Sequence, residues 1–257
     1  MANADVISIG SLLVIVLSTL LLVMLERCIP YHKQRLLRNG FYTDLFMYGI
    51  IQSYILSLLI SFVVSIVDEH TNLERWHTLR AMPIVAQSLM FLVVHDFYIY
   101  WFHRWQHSNT YLWRLHEAHH STVDVDWLSG ARSHSLEIVI NQSIEFLPIV
   151  LFASPEIAVI KGTIDAVWGM YIHSNIDVRS GWLQYILNGP EMHRWHHALD
   201  ANAHNKNFST KLAIWDWLFG TAYYPRTIKP SAYGIDIDYP RNYFRQHGYA
   251  FRRSEQK

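Results

Sequence analysis

Three long uncharged stretches organise the first part of the chain. Residues 6–25 and 45–67 contain no charged side chain, and residues 82–102 are apolar except for His95 and Asp96. A membrane-spanning helix needs about 20 such residues, so each stretch predicts one span. The opening MANAD has no basic residue and no small-residue cleavage site follows the first stretch. We therefore interpret it as a membrane anchor rather than a cleaved signal peptide.

A fourth apolar region, residues 136–173, is interrupted by charged residues, two prolines and a break at ASPE. This pattern predicts two helices that form either a spanning hairpin or a re-entrant pair. If histidines on both sides of the region share one site, it must make no net crossing. The third span, continued to His107, would be 26 residues or about 39 Å long and would extend beyond the hydrocarbon.

The charges in the loops predict the orientation. The loop after the first span is basic and contains Arg27, Lys33, Arg35 and Arg38. The loop after the second span mixes three acidic residues with two basic ones: Asp68, Glu69, Glu74, Arg75 and Arg80. The positive-inside rule then places residues 26–44 in the cytoplasm. We expect a multi-pass integral membrane protein whose histidine-rich region, after the third span, lies on the cytoplasmic side.

Composition narrows the function classes. The chain is 51% hydrophobic and 16% charged, whereas soluble proteins average about 25% charged residues. Its formal net charge is zero, so it lacks the basic footprint of a nucleic-acid-binding protein, and we expect no nucleic-acid partner. Cys28 is its single cysteine, which excludes an intrachain disulfide framework and cysteine-based metal clusters. Histidine is the outlier, with 16 residues.

Eight of these histidines fall into three clusters. HRWQH contains His103 and His107, HEAHH contains His116, His119 and His120, and HRWHH contains His193, His196 and His197. On a helix, residues at i, i+3 and i+4 share a face, so each cluster directs its imidazoles the same way. One zinc ion takes four ligands, and eight imidazoles therefore indicate two metal ions.

HEAHH also matches H-E-x-x-H, in which two histidines bind zinc and the glutamate acts as general base. An intramembrane zinc metalloprotease is thus one alternative, although it leaves the other clusters without a role. A non-catalytic membrane metal-binding protein is another. Glu117 lies off the shared histidine face, and we expect it to pair with Arg114 or Arg132.

Six sequence blocks resemble one known family. They are DFYIYWFHRWQH, LWRLHEAHHS, RSHSLE, IHSN, PEMHRWHH and NKNFSTKLAIWDWLFGTAYYP, and they cover about residues 85–225. In these blocks the chain resembles the fatty acid hydroxylase/sterol desaturase superfamily, in its sterol desaturase-like branch. Members of this superfamily are membrane-bound, non-haem di-iron enzymes.

The fold that we expect is all-α. Three or four transmembrane helices would form a bundle, and a cytosolic helical cap would carry the histidine-rich di-metal site. We predict three parts: transmembrane helices and loops in 1–81, the catalytic domain in 82–225, and a polar cytosolic tail in 226–257.

The resemblance also implies the chemistry. Two irons would use O₂ as co-substrate to hydroxylate or desaturate a C–H bond of a lipid, such as a sterol or a fatty acyl chain. No haem, flavin or iron–sulfur motif is present in the sequence, so an external donor resembling cytochrome b5 or ferredoxin is implied. The implied metal ligands are the eight clustered histidines, a ninth in IHSN and a tenth in RSHSLE: His103, His107, His116, His119, His120, His134, His173, His193, His196 and His197.

Polar residues outside the ligand set are candidates for orienting the imidazoles. Asp96 is the first, because it lies seven residues before His103 on the same helical face. Asn175, and after it Glu137 and Asn207, are further candidates. Three more histidines, His95, His204 and His247, have suitable chemistry but lie outside the family's blocks. The branch often has His-Pro where this chain has His134-Ser135, which leaves the local turn open.

Overall fold

The computed structural model describes residues 2–71 and 79–252, and within these ranges it contains helices, turns and loops but no strand. Glu74 and Arg75, used above for orientation, lie outside the described residues. The helices are α1 (Ala2–Cys28), a π-helix (Thr43–Gln52) that continues into α2 (Ser53–Thr71), α3 (Ile84–Ser108), α4 (Thr110–His120), α5 (Ser135–Phe152), α6 (Glu156–His173), α7 (Pro190–His196), α8 (Ile214–Leu218) and α9 (Tyr243–Tyr249). The all-α prediction is confirmed.

Four helical segments are long and apolar enough to cross a membrane: Ile7–Cys28, Thr43–His70, Ile84–Ser108 and Ser135–Phe152. They confirm the three predicted spans and add the first half of the 136–173 region. Many of their large apolar side chains point outward; Leu12 and Leu17 are 62% and 63% exposed. Lipid tails are as apolar as leucine, so such surfaces are stable in a bilayer. The chain is built as a multi-pass membrane protein.

Helices α5 and α6 form the predicted hairpin, and the break falls at residues 153–155. Its turn is tied to the amino-terminal end of α3, where Ser154 N donates to Gln87 Oε1 (2.9 Å) and Gln87 Nε2 donates to Ser154 Oγ (3.1 Å). Phe91, Ile149 and Ile157 pack together beside this turn. Both outer ends of the hairpin therefore lie towards the histidine-rich end of α3, and the pair makes no net crossing.

Helix α3 carries the chain from the membrane to the site. Its 25 residues span about 38 Å, which exceeds the roughly 30 Å of bilayer hydrocarbon. Helix α4 begins directly after it, and Asn109 caps α4 by accepting hydrogen bonds from Tyr111 N and Leu112 N. Because the two helices are joined through this one residue, HRWQH and HEAHH are held side by side.

Candidate metal centre

Nine histidines gather into two buried groups. The five-histidine group contains His103, His107, His116, His120 and His196, and the four-histidine group contains His119, His173, His193 and His197. Within each group, one nitrogen per ring lies within 4.8 Å of all the others. The five-histidine group draws on α3, α4 and α7, and the four-histidine group on α4, α6 and the end of α7, so three helices must pack correctly before either group exists.

Each three-histidine cluster is divided between the groups. On α4, His116 and His120 join the five-histidine group whereas His119 joins the other; on α7, His193 separates from His196 in the same way. Residues four apart lie about 40° apart around a helix, whereas a residue three positions on lies about 60° to the other side. The prediction that each cluster directs all its imidazoles to one place is therefore wrong. Each HxxHH cluster bridges two sites.

Main-chain carbonyls orient four of the rings through Nδ1. His103 donates to Phe208 O (2.7 Å), His119 to Arg132 O (3.0 Å), and His196 to Lys206 O (2.8 Å). His173 donates to Gly169 O (2.7 Å), one turn earlier on α6. A carbonyl oxygen only accepts, so each Nδ1 carries the proton and each Nε2 of a neutral ring carries a lone pair.

The Nε2 atoms then face one another. His103 Nε2 and His116 Nε2 are 3.1 Å apart, and His119 Nε2 and His173 Nε2 are 3.2 Å apart. Burial, with a smaller contribution from His116, lowers the pKa of His119 to about 3, which keeps that ring neutral. Two ligand nitrogens about 2.1 Å from one metal and at a right angle lie about 3.0 Å apart. The converging lone pairs thus fit a cation in each group.

A carboxylate orients one ligand ring. His116 Nδ1 donates to Glu137 Oε1 (2.8 Å), and Gln106 Nε2 donates to the same oxygen (2.7 Å). Among the described residues, Glu137 is the one carboxylate hydrogen-bonded to a histidine of either group. The sequence ranked it below Asp96 and did not single out Gln106. Gln106 adjoins His107, but a glutamine beside a histidine has no distinctive pattern.

Asp96 does not contact an imidazole, contrary to its predicted role. Its carboxylate accepts from Thr210 Oγ1 (2.7 Å), Lys211 N (2.8 Å), Leu212 N (2.8 Å) and Trp215 Nε1 (3.0 Å). It therefore anchors the loop that follows Phe208. The backbone N–H groups of that loop outcompete an imidazole because several donors converge on one carboxylate.

A second set of contacts fixes the same loop. Asp216 accepts from Phe208 N (2.8 Å), and Asn207 donates from Nδ2 to Met192 O (2.9 Å) on α7. Asn207 has a φ of 57°, in the left-handed region that asparagine tolerates better than most residues. The carbonyls on either side of it, from Lys206 and Phe208, accept from His196 and His103. Asn207 thus shapes the acceptor loop without touching a ligand.

Two other predicted site residues lie elsewhere. His134 belongs to neither group: its Nδ1 accepts from Leu136 N (3.1 Å) and its Nε2 donates to His247 O (3.2 Å), so it caps α5. Asn175 bonds to the backbone of His32, accepting from N (3.0 Å) and donating to O (2.7 Å). Both residues were expected near the metals because of the sequence blocks in which they lie. In the structure, main-chain groups of His247 and His32 form their hydrogen bonds instead.

Glu117 of HEAHH is buried and paired with Arg252, not with Arg114 or Arg132 as predicted. Arg114 instead donates to the carbonyl of Arg252 (2.6 Å). A zinc protease needs this glutamate beside a metal-bound water. Because both carboxylate oxygens are hydrogen-bonded to Arg252, the geometry disfavours the protease alternative.

A cavity of about 690 Å³ adjoins both groups. It lies between α1, the π-helix, α3, α5 and α6, and it reaches five of the ligands: His103, His116, His119, His173 and His193. Its membrane part is lined largely by apolar side chains such as Ile15, Ile99 and Phe146. We call it the membrane cavity.

A second cavity, of about 810 Å³, lies on the other side of the five-histidine group and is lined by His107, His120, His196 and His204. We call it the outer cavity. It places His204 beside the ligands, although His204 is exposed and belongs to neither group.

Comparisons with known proteins identify relatives of this chain. Ornithine lipid hydroxylase OlsE of Rhizobium tropici is 33% identical over 156 residues, which cover 60% of this chain and 46% of the relative. Alkylglycerol monooxygenase of Homo sapiens is 34% identical over 126 residues, covering 49% and 28%. Methylsterol monooxygenase 1-3 of Arabidopsis thaliana is 28% identical over 151 residues, covering 54% and 49%.

The chain thus spans less than half the length of each of these relatives. No solved structure matches it. The sequence model of the fatty acid hydroxylase family matches residues 88–221, which is just over half of the chain and contains every histidine of both groups. The chain belongs to the fatty acid hydroxylase family.

Proposed function

We propose that this protein is a membrane-bound, O₂-dependent hydroxylase that acts on a C–H bond of a lipid. The observation that carries the proposal is the pair of converging histidine groups at one end of a cavity enclosed by membrane-spanning helices. The relatives support it, since they are named as hydroxylases and monooxygenases of lipids. Desaturation is the competing outcome, and the product distinguishes the two.

The five-histidine group would hold one iron and the four-histidine group a second. Imidazole suits iron and zinc alike, and zinc has no redox chemistry; the choice of iron rests on the resemblance to the di-iron superfamily. Bound iron supplies the reductive activation of O₂ towards an unactivated C–H bond. The chain itself holds five of the nine ligand rings in one tautomer through an Nδ1 acceptor, and the apolar wall of the membrane cavity keeps bulk water from the reacting carbon.

Hydroxylation by O₂ places one oxygen atom in the lipid, reduces the other to water, and consumes two electrons and two protons. We propose that the electrons come from an external donor resembling cytochrome b5 or ferredoxin. The outer cavity supports an approach of the electron donor from the side opposite the lipid, because it reaches His107, His120 and His196 without passing through the membrane cavity.

We further propose that the chain has three parts. They are the transmembrane helices and loops in 1–81, the catalytic domain in 82–225 and a polar cytosolic tail in 226–257.

Oxygen incorporation tests the activity. Iron-replete membranes would receive alkylglycerol, ornithine lipid or methylsterol, the substrates named by the relatives, with ¹⁸O₂, NADH and a cytochrome b5 or ferredoxin chain. We expect one of these lipids to gain one ¹⁸O atom in wild-type membranes and in a His70→Ala control. His193→Ala membranes should give no product. Product formed without O₂, or none under any donor, would contradict the proposal.

We also propose that the histidine groups lie on the cytoplasmic side, and Cys28 offers a test. It is exposed, and it is the last residue of α1, at the end of the helix near Asn175 and thus near the grouped histidines. A membrane-impermeant maleimide should label it only after intact cells are permeabilised. Met82 lies at the other end of the bundle. In a Met82→Cys, Cys28→Ser variant, the maleimide should therefore label the new cysteine without permeabilisation. The reverse pattern would invert the topology.

A further inference from the structure

A network of ionisable residues lies in the wall of the membrane cavity, away from the histidines. Lys161 Nζ donates to Asp165 Oδ2 (2.6 Å) and to His95 Nδ1 (2.8 Å), and it also pairs with Glu145. His95 Nε2 lies 3.0 Å from Glu145 Oε2, and Lys211 Nζ lies 2.6 Å from Asp165 Oδ1. We call these five residues the polar network.

Three helices contribute residues to the polar network at the same distance from the metal centre. His95 lies eight residues before His103 on α3, Glu145 eight after Glu137 on α5, and Asp165 eight before His173 on α6. Eight residues of helix rise about 12 Å. Three helices therefore bring ionisable groups to one level, about 12 Å below the metal centre. His95 and Glu145 belong to candidate spans, so this level is inside the membrane.

Stability alone does not account for such a network. It contains two carboxylates, two ammonium groups and one imidazole, and Lys161 is only 2% exposed. Removing ions from water is energetically costly, and apolar residues of similar volume often stabilise a protein equally well. Ionisable residues within membrane helices commonly mark a binding site or a transport path.

The network faces the cavity that leads to the histidines. His95, Glu145, Asp165 and Lys211 all line the membrane cavity, and the side chain of Asp165 is 24% exposed. Asn141 lines it as well, about one turn of α5 closer to the grouped histidines than Glu145, and its Oδ1 accepts no hydrogen bond from any residue in the described ranges. Carboxylate oxygens have lone pairs beyond the one that each lysine uses. This part of the cavity therefore offers free acceptors beside the two lysines.

We infer that this end of the cavity binds a hydrogen-bond-donating group of the lipid substrate, a hydroxyl or an amine, through Asp165 and Asn141. The inference rests on the proposed function and adds a substrate class to it. The lipid lies with its polar group between Asp165 and Asn141 and its reacting carbon at the grouped histidines, about 6 to 12 Å away along the helices. A lipid without a donor at this distance is a poor ligand.

Binding to the purified, metal-loaded protein tests this. The probe is tritiated 1-O-hexadecylglycerol. Its competitors are the unlabelled compound, hexadecylamine, and the 2,3-di-O-methyl ether of hexadecylglycerol, which keeps the oxygens but has no donor. We expect the ether to compete about three- to tenfold less well than the parent, the effect of about one lost hydrogen bond. Stronger competition by hexadecylamine would identify an amine as the preferred group.

Asn141→Leu should weaken binding of hexadecylglycerol about three- to tenfold and leave binding of the ether unchanged. Ser143→Ala, on the same helix but outside the cavity lining, is the matched control. Asp165→Asn gives a second measurement if Asn141→Leu does not fold. Equal affinity for parent and ether in wild type, or loss of both in a variant that retains its metal, overturns the inference. Failure of metal binding or ¹⁸O incorporation would instead reject the proposed function.

Discussion

A His193→Ala variant is expected to bind one metal ion per chain instead of two and to form no hydroxylated lipid. Its group has four ligands, and the substitution leaves three. Mutating a residue that hydrogen-bonds to a ligand typically lowers metal affinity roughly 10- to 100-fold. Loss of a ligand itself should lower the affinity for that metal by more. His196→Ala leaves four ligands in its own group, so this variant should retain both metals, one of them more weakly.

Metal analysis after dialysis against a chelator measures this asymmetry directly. His70→Ala is the matched control, because His70 is exposed at the end of α2, far along the chain from both groups. It should hold as much iron as wild type. Two ions retained by His193→Ala, or a single zinc ion lost only with His116→Ala, would show that the two-group arrangement is wrong and would restore HEAHH as a hydrolase motif.

Glu137→Gln is expected to lower metal affinity and the rate of lipid hydroxylation about 10- to 100-fold. Glutamine can still accept from His116 Nδ1 and keeps the size of the side chain, so the fold should survive. It removes the negative charge that stabilises His116 as a ligand to a cation. The nine histidines contribute no charge of their own when neutral, which makes this single carboxylate consequential.

Competition with a chromophoric chelator gives the affinity, and ¹⁸O incorporation gives the rate. Glu156→Gln is the control, because Glu156 lies at the start of α6, at the opposite end of the hairpin. Glu137→Leu should be more severe than Glu137→Gln, since it also removes the acceptor for Gln106. Equal metal affinity in Glu137→Gln and wild type would mean that the carboxylate only positions α5 against α4.

The polar network and the metal centre assign different tasks to the same three helices. Towards the histidine end, α3, α5 and α6 supply His103, Glu137 and His173; about 12 Å deeper they supply His95, Glu145 and Asp165. The distance between the two levels would then select which carbon of a bound lipid meets the metals. Variants at the deep level should change lipid choice and leave metal content intact.

Local patterns in the sequence were sufficient for the spans, for the hairpin break at ASPE and for eight of the nine grouped histidines. These features depend on hydropathy and on helical spacing, which are properties of short segments. His173 and the tenth candidate, His134, came from the family resemblance, and the structure groups only His173. A single histidine has no spacing signal, so only its surroundings decide its role.

The tertiary structure decided which of the two groups each histidine joins, because that depends on how α4 and α7 are rotated against α3 and α6. It also gave the orienting role to Glu137, a weaker candidate of the sequence analysis, and not to Asp96, the first candidate. Five histidine Nδ1 atoms have an acceptor, and four of these acceptors are main-chain carbonyls. Any residue type provides a carbonyl, so no side-chain pattern in the sequence predicts these contacts. The polar network is likewise assembled from residues far apart in the chain. The sequence by itself determined a membrane helix bundle rich in metal ligands, whereas helix packing determined the two sites and the cavity that joins them to the lipid.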